Sequence, residues 1–171
     1  MEELPARKNN RLKDYDYSSA GYYFVTICTN NQQNILSSVC RGDPCGRPES
    51  ELTELGEICA TTFEIIEATH NVSILKYVIM PNHIHMIISN DADMRATARV
   101  APTIGSVIGS YKSMVSNSWL VKCKEHGIHM GQIWQRNYHD HIIRGEADYQ
   151  RICQYIDENL ERWTEDEYYT K

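Results

Sequence analysis

Tyr77-Val-Ile-Met-Pro-Asn-His-Ile-His-Met-Ile-Ile-Ser89 decides how this chain is read. It consists of two apolar strands joined by a turn, and Met80-Pro81-Asn82-His83 has proline at the second position, where its fixed φ suits a tight turn. Successive side chains of a strand point to opposite faces, so His83 and His85 share one face, ~6.6 Å apart along the strand. Ile84, Met86 and Ile88 take the other face, toward a core. Two imidazoles held side by side in this way can bind one metal ion. By itself, however, a His-x-His in a chain with 7 histidines is a weak signal, and a strand histidine is more often structural. A second such pair exists, His139-Asp140-His141.

The chain has 171 residues, 42% hydrophobic and 23% charged, which suits one soluble domain with its own core. No apolar run approaches the ~20 residues of a membrane span, and the N-terminus lacks the apolar segment of a signal peptide. The expected location is the cytoplasm. The 6 cysteines show no Cys-x-x-Cys spacing and read as free thiols. Cys123-x-x-His126-x-x-His129 has metal-like spacing, but it lies in a polar loop without a fourth partner. The formal net charge of −6 argues against broad phosphate neutralisation. Arg7, Lys8, Arg11 and Lys13 nevertheless form a local basic arm within residues 1–20, ahead of a single domain over 21–171.

In chain order, Gly21–Thr29 is aromatic and β-branched and predicts a first strand. Residues 40–50 hold two Gly and two Pro and predict a loop insertion; a second insertion is expected over about 90–101. Apolar spacing predicts helices over 51–69, 102–122 and 146–163. Gly105 and Gly109 in the second helix suggest close packing. Residues 132–136 and 139–144 read as strand segments. The order β-α-β-β-α-β plus a last helix predicts a ferredoxin-like α/β sandwich, with one sheet face under two helices and the other free to carry His83 and His85.

On the last predicted helix, Tyr155 and Asn159 stand four residues apart and share a side. A tyrosine hydroxyl can act as a nucleophile, and an amide oxygen suits a hard cation. Spacing alone favours the ordinary alternative, in which Tyr155 packs at the helix flank and Asn159 caps the helix end. Trp134, Gln135, Arg136, Arg144 and Lys112 are candidate DNA contacts, or else core and solvated residues.

Four blocks in order give the chain a family likeness: Arg11-Leu-Lys-Asp-Tyr-Asp-Tyr-Ser with Gly21–Thr29, Met80-Pro-Asn-His-Ile-His85, Ile133-Trp-Gln-Arg-Asn-Tyr-His-Asp-His-Ile-Ile-Arg144, and Tyr155-Ile-Asp-Glu-Asn159. With these the chain resembles the REP-associated tyrosine transposases, a branch of the single-tyrosine HUH transposases and nucleases. The resemblance implies a ferredoxin-like fold, Tyr155 as nucleophile, and Mg²⁺ or Mn²⁺ held by His83, His85 and Asn159. It implies single-stranded DNA beside a REP-type hairpin as partner, cleaved and rejoined through a 5′-phosphotyrosine by a monomer or homodimer. His141 belongs to a matching block and joins the candidate DNA contacts. Leu160 departs from the proline usual after the Asn. The rival reading is a non-catalytic or domesticated nucleic-acid-binding module of RNA-recognition type, with Tyr22 and Phe24 as stacking aromatics.

Overall fold

The structure, a computed structural model, describes residues 20–41, 48–90 and 102–170. Its sheet has the strand order β4-β5-β1-β6, from β1 (Gly21–Cys28), β4 (Ser73–Ile79), β5 (His83–Asn90) and β6 (His139–Ile143). All neighbouring pairs are antiparallel. With α1 (Glu54–His70) between β1 and β4, and α2 (Ile104–His126) between β5 and β6, this is the ferredoxin-like arrangement.

Alternation along the strands sorts the two faces. Tyr23, Val25 and Ile27 of β1 join Ile84, Met86 and Ile88 of β5 in one apolar cluster. Leu55, Cys59, Phe63 and Ile66 of α1 and Ile104, Val107, Ile108, Tyr111 and Val115 of α2 pack onto it. Thr53 and Thr103 cap the two helices by accepting from the N–H three residues on, which satisfies one orphan donor at each start. Ile65, although within the apolar run of α1, faces solvent.

On the opposite face lies α3 (Glu146–Glu158). Ile152 and Ile156 pack on Ile87 and Ile143, with Phe24, Val78, Tyr149 and Cys153 around them. The face that would be free in a two-layer sandwich is therefore partly covered here by α3, while Tyr22 stays 43% exposed.

Several boundaries differ from expectation. The loop expected over 40–50 is in part a hairpin, since β2 (Ser37–Arg41) pairs antiparallel with β3 (Pro48–Leu52). Pro48 pairs only at the very start of β3, where a missing N–H does least harm. Its partner strand continues from Leu36, whose carbonyl lies 2.0 Å from where a Cβ on Gly56 would stand. That close approach fixes a glycine in α1. Gly109 meets nothing within 4 Å, so close packing is not its reason. The stretch 132–136 makes only an isolated bridge, Trp134 with Thr29. The last helix ends at Glu158, and a 3₁₀ turn follows at Trp163–Glu165. The basic arm residues Arg7, Lys8, Arg11 and Lys13 lie outside the described residues, as does nearly all of the 90–101 insertion.

Candidate metal and nucleophile site

His83 and His85 stand on the α3 side of β5, both almost fully buried. Register decides their neighbours: His85 lies opposite Thr26, and His83 opposite Cys28. His85 Nδ1 is 2.8 Å from Thr26 Oγ1, and His83 Nδ1 is 2.9 Å from Asn82 Oδ1. The remaining ring nitrogens converge, Nε2 to Nε2, at 3.0 Å. Burial lowers the pKa of His83 to about 2, with His85 adding repulsion, and burial alone takes His85 to about 3. Both rings are thus neutral at ordinary pH, the state in which imidazole binds metal.

α3 brings Tyr155 over this pair. Its hydroxyl is 3.2 Å from His85 Nε2, and Phe24 stacks on the His85 ring at 5.2 Å. Burial, then the charge of Asp166, raises the Tyr155 pKa. Asn159 is the C-cap residue of α3 and is 3% exposed. Its side chain engages Tyr155 and Asp166, while its Oδ1 is buried without a hydrogen-bond partner. An amide oxygen left this way is costly unless something binds it.

One residue was missed in the sequence. Past the 3₁₀ turn the chain folds back and sets Asp166 beside the pair, so that ligand atoms of His83, His85 and Asp166 all lie within 4.8 Å of one another. Burial raises the Asp166 pKa. In the sequence Asp166 sits in the acidic run Glu165-Asp166-Glu167, which looks like a solvated tail. Tyr168 follows, with its ring 4.7 Å from that of His83.

Tyr155, Asn159, Asp166 and His85 line a cleft of about 670 Å³ that also reaches His141, Arg151 and Arg162. His141 points along the same sheet face, opposite Phe24, and its Nε2 is 2.8 Å from Asp148 Oδ2. The hydrogen bonds from His141, the Arg144 N–H and Arg151 hold Asp148 well below the usual carboxylate range.

The other candidate DNA contacts are scattered. Trp134 is core, 6% exposed, and its indole offers no free face. Gln135 ties its N–H to Cys28 O. Lys112 donates to Gln135 O at 2.9 Å and Asn137 O at 2.8 Å, and burial lowers its pKa to about 8. Its ammonium thus secures the segment leading into β6. Arg136 and Arg144 are exposed.

The site is thus a buried histidine pair on a ferredoxin-like sheet, with a tyrosine and an amide brought to the same face by a helix. The family model described as "Transposase IS200 like" matches residues 17–159, so the chain belongs to the IS200-like transposase family. A protein of Haemophilus influenzae Rd, described only as uncharacterized, is 34% identical over 95% of this chain and 93% of its own length. Among solved structures, a REP-associated tyrosine transposase bound to a REP hairpin superposes with a TM-score of 0.56 at 18% identity, over 90% of this chain and 74% of that one. A candidate transposase from Deinococcus radiodurans R1 gives 0.51 at 15% identity, over 86% and 95%. At these identities the two structural likenesses show the fold. Among the described residues, no helix is long and apolar enough to cross a membrane.

Proposed function

We propose that this protein cuts and rejoins single-stranded DNA beside REP-type hairpins, through a covalent 5′-phosphotyrosine on Tyr155. The observation that carries the reading is the 3.2 Å approach of the Tyr155 hydroxyl to His85 Nε2, beside a buried amide oxygen with no partner. His83, His85 and Asn159 would hold a divalent ion, with Asp166 as a further oxygen ligand within the same cluster. The donor set, two neutral imidazoles with amide and carboxylate oxygens, fits Mn²⁺ by ligand preference and Mg²⁺ by charge. When bound, such an ion supplies Lewis-acid polarisation of a phosphate and counters the burial that keeps Tyr155 protonated.

The residues account for the remaining steps. The Tyr155 oxygen attacks the phosphorus, a P–Oη bond forms, and the bond to the 3′ oxygen breaks. The tyrosine loses its proton and the departing 3′ oxygen gains one, so the exchange is proton-neutral and needs no nucleotide. A second DNA 3′-hydroxyl reverses the step at a new junction. The acidic wall of the cleft, Glu158, Glu165, Asp166 and Glu167, favours a cation over bare phosphate. The work would take place in the cytoplasm, on DNA exposed as single strands.

Incubation with labelled hairpin DNA and Mn²⁺ tests this. A denaturation-resistant adduct should form on the wild-type protein and fall to background in Tyr155→Phe. An adduct that persists in that variant would rule out Tyr155 as the nucleophile.

A further inference from the structure

We infer that Asn82 is the positioning residue that makes His83 a fixed metal ligand, by holding the proton of its neutral ring on Nδ1. The inference rests on the ion-binding reading above and goes beyond it, since it concerns a side chain that touches neither ion nor substrate.

Asn82 lies in the β4–β5 turn and is fully buried. The orientation of its carboxamide is settled by its neighbours. Nδ2 donates to Tyr168 O at 2.7 Å and to Gln32 O at 3.3 Å, and it is 3.3 Å from Thr170 Oγ1. Two of those partners are carbonyls, which only accept, so the NH₂ end must face them. Oδ1 is then the atom 2.9 Å from His83 Nδ1. An amide oxygen has no proton to give, so Nδ1 donates and the lone pair falls on Nε2. That lone pair points at the site.

His85 is held differently. Its Nδ1 partner is the Thr26 hydroxyl, 2.8 Å away, and a hydroxyl can donate or accept. No tautomer is imposed there. The two Nε2 atoms are 3.0 Å apart, and two lone pairs do not face each other at that distance. With His83 fixed as the acceptor, His85 carries the proton between them until a cation takes its place. His85 then places its proton on Nδ1, and the Thr26 hydroxyl turns to accept it. One ligand is fixed and one adapts, because one partner is an amide and the other a hydroxyl. The fixed one is anchored through Asn82 to the backbone at Tyr168, so the C-terminal segment helps orient a ligand on β5.

Long-range ¹H–¹⁵N correlation of the ring nitrogens in the full ¹⁵N-labelled chain reads this directly, before and during Mg²⁺ titration. His83 should show Nδ1–H throughout, and His85 should change from Nε2–H to Nδ1–H. Calorimetry with Mn²⁺ supplies the second readout. Asn82→Leu should shift the His83 proton toward Nε2 and weaken Mn²⁺ binding by about 10–100-fold. Asn82→Asp keeps an acceptor oxygen in either protonation state and should retain the Nδ1–H form, with affinity well inside that loss. A wild-type His83 carrying its proton on Nε2 overturns the inference, and so do folded Asp and Leu variants that lose Mn²⁺ affinity equally. If Asn82→Leu does not fold, the wild-type spectrum still decides. A wild-type protein with His83 as Nδ1–H that binds no Mn²⁺ overturns the ion-binding reading while leaving the hydrogen-bond assignment standing.

Discussion

The two faces of the central sheet are buried to a similar depth and filled with opposite chemistry. On one, Tyr23, Val25, Ile27, Ile84, Met86 and Ile88 meet α1 and α2 in an apolar cluster. On the other, Thr26, His83 and His85 are buried as completely, next to a small apolar cluster built on Ile87, Ile143, Ile152 and Ile156. Hydrophobic burial stabilises the first face at about 1.5–3 kcal/mol per large side chain. The second pays desolvation for two imidazoles and tolerates it because each ring nitrogen has a partner. The lesson is that burial alone does not mark a core. α1 and α2 pack on the large apolar cluster, while α3 and the segment after it bring Tyr155, Asn159 and Asp166 to the other face of the same sheet.

Removing bulk from each face tests that division. Ile108→Ala, in the large cluster, should cost about 2–5 kcal/mol, read as a loss of denaturation midpoint. Ile152→Ala, in the smaller cluster, should fall at or below the lower end of that range while loosening α3. Its DNA-cleavage defect should therefore exceed its stability defect. An Ile152→Ala protein as destabilised as Ile108→Ala would show that the two faces carry the fold equally.

Acid probes the polar face. Burial pushes His83 down to about 2 and His85 to about 3, from the ordinary imidazole value of about 6.5. The unfolded chain therefore binds more protons below pH 6.5, and stability falls as pH drops from there toward 3. Two such groups could remove up to about 3 kcal/mol between pH 6.5 and 5. His83→Gln should flatten part of that slope, and an unchanged slope would mean that the pair is not held neutral by burial. The smallest effect is expected at the edge of the polar face, where Lys76 of β4 pairs with Asp157 of α3 at 2.8 Å, largely in solvent. Lys76→Met should change stability by less than about 1 kcal/mol. A larger loss would mean that α3 is held from its rim rather than by Ile152 and Ile156.

The histidine pair was legible because strand alternation is local: His83 and His85 share a face wherever the strand lies. The helices bearing Ile104 to Val115 and Ile152 to Ile156 were legible for the same reason, as was the ferredoxin-like order they imply. Tyr155 and Asn159 could be paired by helical spacing and by family likeness, although spacing alone favoured an ordinary role for both. The β2–β3 pairing within 37–52 was hidden because the sequence between those strands is rich in glycine and proline, which reads as loop. Trp134 and Lys112 could be read either as DNA contacts or as interior residues. Only packing places the first against Tyr111 and spends the second on two carbonyls.

Asp166 and the role of Asn82 had no local signal. Asp166 reads as one acid in a charged run, and Asn82 as a turn residue after proline. Each acquires its place when the segment after α3 crosses back over the start of β5, joining residues more than eighty positions apart. The sequence by itself determined which side chains share a face, because that follows from backbone period. The tertiary structure decided which of them meet, which nitrogen of His83 turns toward His85 and which carboxylate stands beside the pair. Those depend on where distant segments come to rest, and no local period records that.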